Sequence, residues 1–493
     1  MVRTGGAPPS PGGGRYAAGI VWSATHAAAG VALPFVVFVF FARHLEPGEV
    51  GLVAIGTAMA EIVKAFGVPG LYEALLQQQQ DARRCHETAA AVLLIAGVAL
   101  FAVYVGIVVL AGLAVPDVAQ HQLALSAVGA RIAFDLATLQ PLAALAQRLS
   151  YRRMALRSVV GNLGAAVAGI GIALLGAPLT GLVAYLVAQS ALVWLVTVVG
   201  SGSLARPRFD ATAMMRMARE AGAASVVRLV AAANNSLDQL LVGSWLGQGA
   251  VGYYNLGKRL ETVFITAAAS FSSILFQPLF SREPPSQRAT GLVRGLAVMC
   301  VICGLPCAIF VANAVDVVRL VFGSTWSPAG PVAALLAVGG AVRAFGSVHG
   351  ALLSVSGRNH QLMTLSAISA ASGVAVVLAA APFGIDAAAG GLAVRNVAIV
   401  AWMATLTRHD APRPAAAYVR YVLLPFGAML VAAYVGRGLL MPPGSGDSVT
   451  RIMLSGTLAA ACCLAVFARF LPRPWLSSGR SALAMLVNPA KGS

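Results

Sequence analysis

The chain has 493 residues, of which 58% are hydrophobic and 10% charged, with a formal net charge of +17. A soluble fold cannot hide that much apolar surface, because even large domains leave much of their area in water. The positive charge is scattered over short polar gaps rather than gathered on one soluble basic face, which argues against a nucleic-acid partner.

The opening MVRTGGAPPSPGGGR, residues 1–15, is rich in Pro and Gly and predicts a disordered cytoplasmic tail. The apolar run at 17–41 is too long for a signal-peptide core and lacks a polar cleavage region, so it is predicted as a retained first span. Further spans are predicted at 50–75, 88–112, 120–145, 155–176, 179–200, 217–245, 254–280, 290–314, 329–355, 362–381, 385–407, 418–436 and 449–468. Each is long enough for the roughly 20 residues that cross the hydrocarbon core. The expectation is an all-α polytopic membrane protein with 14 transmembrane helices.

Charge in the connections tests that count. With a cytoplasmic amino terminus, one set of connections gathers Arg148, Arg152, Arg153 and Arg157, then Arg206, Arg208, Arg216 and Arg219, then Arg408, Arg413 and Arg420. The other set holds only Arg43, Arg319, Arg437 and Arg451. This alternation follows the positive-inside rule, and a missed span would mix the two sets. Both termini are therefore expected in the cytoplasm, with 469–493 as a second tail and 201–216 as a cytoplasmic linker. No connection is long enough for a folded soluble domain.

A repeat overlies the spans. LEPGEVGLVAIG from Leu45 resembles LGQGAVGYYNLG from Leu246, so that Leu45, Gly48, Val50, Gly51 and Gly56 recur as Leu246, Gly249, Val251, Gly252 and Gly257. The passages follow the first and seventh spans. An even number of spans separates them, which gives both halves the same orientation, as in transporters built from parallel repeats.

Charges inside spans mark candidate functional residues, because a charge facing hydrocarbon is expensive. Lys64 follows Glu61 by three residues and either pairs with it or reaches a substrate phosphate. Arg131 and Asp135 stand at i,i+4 and are expected to pair. Asn234, Asn235, Asp238 and Gln239 form a polar strip in the seventh span, with Arg228 earlier on the same helix. The strip could contact a glycan, bind a cation or join helices. Of the adjacent Lys258 and Arg259, Arg259 is the expected inward-facing cation, and Glu261 a plausible counter-charge. Tyr253 and Tyr254 are expected in an outer aromatic belt. Arg343 and Arg395 have no acidic neighbour at helical spacing, and either pair across the bundle or attract an anionic headgroup.

Other polar residues read as structural. His349, flanked by small residues, is expected to pack, as are Cys300, Cys303 and Cys307 in one apolar run. No GxxxxGK[ST] phosphate loop supports ATP hydrolysis by this chain.

Three passages carry a family resemblance: ARHLEPGEVGLVAI from Ala42, LDQLLVGSWLGQGAVGYYNLGKRL from Leu237, and Val317 to Leu362 with its FGSTWSPA entry and SGR exit. The chain resembles bacterial polysaccharide or O-antigen flippases, of the polysaccharide-synthesis branch of the multidrug/oligosaccharidyl-lipid/polysaccharide exporter superfamily. The resemblance implies two parallel-related six-helix bundles, 16–200 and 217–407, plus two additional helices within 418–468. It also implies a plasma-membrane transporter for undecaprenyl-diphosphate-linked oligosaccharide, with a polysaccharide polymerase and other assembly proteins as partners beside the phospholipid bilayer. Neither cofactor nor metal is expected, and proton or sodium coupling, through Asp238 or Glu261, stays open. The alternatives are an ion-coupled exporter of small amphipathic compounds and a membrane glycan-processing enzyme.

Overall fold

The computed structural model describes residues 30, 32–67, 70–77, 81–148, 150–202, 205–409, 418–438 and 448–470. The expected tail at 1–15, all but residues 469–470 of the expected tail at 469–493, most of the first span before Ala32, and 410–417 lie outside the described residues. The described residues are mostly helical. In chain order the main helices are α1 (Ala32–His44), α2 (Pro47–Ala65), α3 (Ala82–Ala114), α4 (Gln122–Gln147), α5 (Tyr151–Leu174), α6 (Pro178–Ser201) and α7 (Ala211–Phe271). They continue with α8 (Pro285–Ala312), α9 (Ala329–Val355), α10 (Asn359–Ala380), α11 (Ile385–Leu406), α12 (Val419–Gly438) and α13 (Ser448–Phe470).

Ten described helices, α3–α6 and α8–α13, are long and apolar enough to cross a membrane. Their outward faces are apolar: Ile95, Val98, Leu110 and Leu113 on α3 and Val394 on α11 are exposed. Helices with apolar exteriors suit a hydrocarbon solvent, since every backbone polar group is satisfied within the helix. The chain is a multi-pass membrane protein. The remaining helices are α1, described only in part, and α2 and α7. The latter two carry Glu61, Lys64, Asp238, Lys258 and Glu261, and those polar groups turn inward rather than to lipid.

Four expected spans take a different form. The second span, expected over 50–75, stops at Ala65; a separate short helix, Leu71–Gln77, follows. The seventh and eighth spans form one 61-residue run, α7, broken at Gly247 by an extended backbone with φ 82° and ψ 174°. That φ favours glycine, which lacks the clashing Cβ. The ninth span, in α8, loosens into a π-helical turn at Cys300–Gly304. Asp210 caps the start of α7, accepting hydrogen bonds from the Thr212 and Ala213 amides at 2.8 and 3.2 Å.

The repeated passages make equivalent contacts. Glu46 and Gly247, at matching positions, both sit at the break before a new helix, with ψ of 153° and 174°. Gly56 packs under Leu125 of α4, and Gly257 packs under Leu336 of α9; a Cβ at either glycine would fall within 2.9 and 2.7 Å of those leucines. Gly51 lies against the Gln248 carbonyl, and Gly252 lies against the carbonyl of Pro47, the residue matching Gln248. Helix α2 and the first part of α7 run antiparallel, because Gly51 meets Gln248 at one end and Gly70 meets Ser225 at the other.

Each half has its own apolar core. Leu93, Tyr104, Ile132 and Leu136 fill the first, and Phe276, Leu296, Cys300, Val348 and Leu352 the second. A third cluster crosses between halves, joining Phe38 and Phe41 of α1 to Leu256, Phe322 and Trp326. There the Trp326 indole donates to the Ala42 carbonyl at 2.6 Å, and Arg43 donates to the Leu320 and Val321 carbonyls at 2.7 Å. At the opposite end, Arg228 pairs with Glu73, and the Gly70 amide donates to Ser225 Oγ at 3.1 Å. The halves are thus tied at both ends.

Candidate functional site

Between those ties lies a cavity of about 350 Å³ with both polar and apolar walls. Phe38, Thr57 and Glu61 face it from the first half, and Asn235, Gln239 and Arg259 from α7. The Arg259 guanidinium stacks over the Phe38 ring at 4.0 Å and donates through Nε to Asn255 Oδ1 at 3.2 Å. Among the described residues it pairs with no carboxylate. A cation held by an aromatic face and an amide keeps its remaining donors for a ligand.

A second, smaller pocket of about 20 Å³ lies beside the first, and Asn235 lines both. Here Asp238, which is 5% exposed, accepts from Lys258 Nζ at 2.6 Å and from Tyr254 Oη at 2.8 Å. Arg343 Nη1 donates to Glu261 at 3.3 Å. Arg395 donates to the Ser369 carbonyl and to Asn396 Oδ1, both at 2.6 Å.

The family model for polysaccharide biosynthesis proteins matches residues 40–331, which contain most of these groups. The chain belongs to that family. The polysaccharide biosynthesis fold is also seen in solved structures. Lipid II flippase MurJ, in an inward closed conformation, superposes with a TM-score of 0.72 at 11% identity, covering 92% of this chain and 100% of that one. An inward-facing multidrug resistance MATE family transporter of the MOP superfamily reaches a TM-score of 0.54 at 16% identity, covering 78% of this chain and 95% of that one. A MOP superfamily transporter from Pyrococcus furiosus reaches 0.53 at 13% identity, covering 81% and 96%. At these identities the likeness is one of fold. No curated protein matches the chain.

Within this family member the ten candidate residues divide into groups. Asn235, Gln239 and Arg259 line the larger cavity, and Asn235, Asp238, Glu261, Arg343 and Arg395 line the smaller pocket. Lys64 is held outside both, with its ammonium 2.7 Å from Glu61 and 2.8 Å from Asp135. Arg228 stays remote, paired with Glu73 and 5.9 Å from the Tyr72 ring centre. The side chain of Asn234 lies outside the described residues.

Several pairings differ from expectation. Asp135 pairs across helices with Lys64, while Arg131 Nε donates to Ser190 Oγ at 3.3 Å; the interhelical ammonium reaches Asp135 where the i,i+4 guanidinium does not. Tyr254, expected in an interfacial belt, is fully buried, because its hydroxyl is spent on Asp238. Lys258, passed over in favour of Arg259, also points inward. Adjacent positions on a helix diverge by about 100°, so the two cations serve different pockets. Tyr254 and Lys258 are i,i+4 partners on one face, a spacing that could have revealed them. His349 packs as expected, fully buried and bonded to Thr407 Oγ1 and Tyr418 Oη at 2.9 and 2.6 Å.

A cleft of about 580 Å³, almost wholly apolar, opens between α9, α11 and α12. Val338, Val342 and Phe345 line it from α9, the helix that also turns Arg343 toward the polar pocket.

Proposed function

We propose that this chain carries undecaprenyl-diphosphate-linked oligosaccharide from the inner to the outer leaflet of a plasma membrane, for polysaccharide biosynthesis. The observation that supports this most is Arg259, a guanidinium that has no carboxylate partner among the described residues and faces the cavity between the two halves. A guanidinium fork matches phosphate oxygens in two parallel hydrogen bonds. The amides of Asn235, Gln239 and Asn255 and the Thr57 hydroxyl supply donors and acceptors for sugar hydroxyls. The apolar cleft offers the polyprenyl tail a surface as dry as the bilayer. No glycosidic bond forms or breaks in such a cycle.

In this reading the chain has 14 spans, with residues 16–200 and 217–407 as two parallel-related six-helix bundles and two further helices within 418–468. The Arg43 end faces outward and both termini are cytoplasmic. The bundles alternate access by breaking one tie while keeping the other. A polymerase and other assembly proteins would take the delivered saccharide. Export of a cationic compound fits less well, because Asp238 and Glu261 are already paired with Lys258 and Arg343.

Leaflet-resolved transport of labelled undecaprenyl-diphosphate-linked saccharide in proteoliposomes tests the proposal. Wild type should move the headgroup across without covalent change, and Arg259→Ala should lose at least about tenfold, the factor that 1.4 kcal/mol of a charge-assisted phosphate contact represents. Binding without any change of leaflet, or new glycosidic products, would refute it.

A further inference from the structure

The small pocket carries an imbalance of charge. Lys258, Arg343 and Arg395 bring three cations to it, while Asp238 and Glu261 bring two carboxylates. Lys258 is matched by Asp238, and Arg343 by Glu261. Arg395 has no acidic partner among the described residues. Its two terminal nitrogens are used by the Ser369 carbonyl and Asn396, and its Nε is buried with no hydrogen-bond partner. The residue is only 9% exposed. A buried guanidinium with an orphan donor and no carboxylate in contact is costly, and buried charges are found paired. Two guanidiniums, those of Arg343 and Arg395, also line the same small volume and repel each other unless something negative stands between them.

We propose that this pocket binds one small monoatomic anion of the chloride class, held between Arg343 and Arg395. The volume decides the size of the occupant. A single water-sized sphere needs on the order of 10–15 Å³, so a pocket of about 20 Å³ suits one small ion and is too small for a sugar. The anion brings the five charged side chains to neutrality and satisfies the Arg395 Nε. It is separate from the substrate's diphosphate, which the proposed function assigns to Arg259 in the larger cavity. Asn235 is the wall between the two sites.

Thermal unfolding of the purified full-length protein, in sodium chloride and in sodium gluconate at equal ionic strength, tests the inference together with radioactive chloride binding. Wild type should bind one chloride per chain and show a saturable rise in Tm that gluconate does not give. Arg395→Gln should weaken chloride binding by at least tenfold, and so should Arg343→Gln, which serves if the first variant fails to fold. Arg259→Gln should leave chloride binding unchanged. A wild type that binds no chloride, with equal Tm in both salts, overturns the proposal. So does binding that survives Arg395→Gln and Arg343→Gln but is lost in Arg259→Gln, because the ion would then sit in the larger cavity. Loss of leaflet transport with chloride binding intact would count against the proposed function alone.

Discussion

Gly51 and Gly252 close one end of the protein by the same contact made twice. A Cβ on Gly51 would lie 1.8 Å from the Gln248 carbonyl oxygen, and one on Gly252 would lie 2.0 Å from the Pro47 carbonyl oxygen. The obstacle in each case is backbone, which cannot swing aside. Gly252→Ala should therefore push the helices apart at a cost of about 1–3 kcal/mol to the closed state. The expected result is faster labelling of a cysteine placed at Gln239 by an impermeant maleimide added on the Arg43 side. Labelling as slow as in the unsubstituted background would contradict a closing role for this contact.

Trp326 closes the same end by a different means. Its indole N–H donates to the Ala42 carbonyl, and both are buried. Trp326→Phe keeps a ring but leaves that carbonyl unsatisfied, at roughly 1–3 kcal/mol. The variant should label at Gln239→Cys faster than its parent, by the same assay. Labelling at the parent's rate would show that the ring contacts alone hold this end shut.

Lys64 tests whether a charge in a span serves the substrate or the scaffold. Its ammonium is shared by Glu61 and Asp135, each partly exposed. Lys64→Met should leave two carboxylates facing each other and destabilise the protein on the order of 1–3 kcal/mol, discounted for that exposure. Neutralising all three, as Lys64→Met with Glu61→Gln and Asp135→Asn, should restore Tm and transport to near wild type. A triple variant that is stable but inert would instead assign Lys64 to substrate binding.

The sequence leaves ion coupling through Asp238 or Glu261 open, and in the structure the Asp238 carboxylate is already held by Lys258 and Tyr254. Asp238→Asn leaves Lys258 buried without a counter-charge and should destabilise by about 3–5 kcal/mol. Adding Lys258→Met should recover most of the lost stability. If a proton or sodium gradient drives transport in wild type and still does so in the stable double variant, coupling does not run through Asp238. Loss of only the gradient response in that variant would assign the coupling to it.

Most of the long helices were legible because an apolar run of bilayer length has few other uses. The break after Ala65 was written as Gly67-Val68-Pro69-Gly70 but was averaged away in a long apolar stretch. The repeat was legible at Gly51 and Gly252, whose contacts the structure makes reciprocal. Pairings were harder to read. Lys64 and Asp135 are 71 residues apart, and nothing local marks them as partners, whereas Arg131 looked correct at i,i+4. Arg343 and Glu261, separated by 82 residues, were hidden for the same reason. Arg228 shared a helix with the polar strip, yet helical continuity does not reveal that a short helix from the other half arrives to meet it at Glu73.

The two ties present together also bear on electrical behaviour. With Arg228 bound to Glu73 at one end and Arg43 bound to the Leu320 and Val321 carbonyls at the other, the proposed cycle changes access by releasing one tie and remaking it before the other is released. A state with both undone would be a pore. Planar bilayers containing this protein, with no substrate present, should therefore conduct no more than bare lipid.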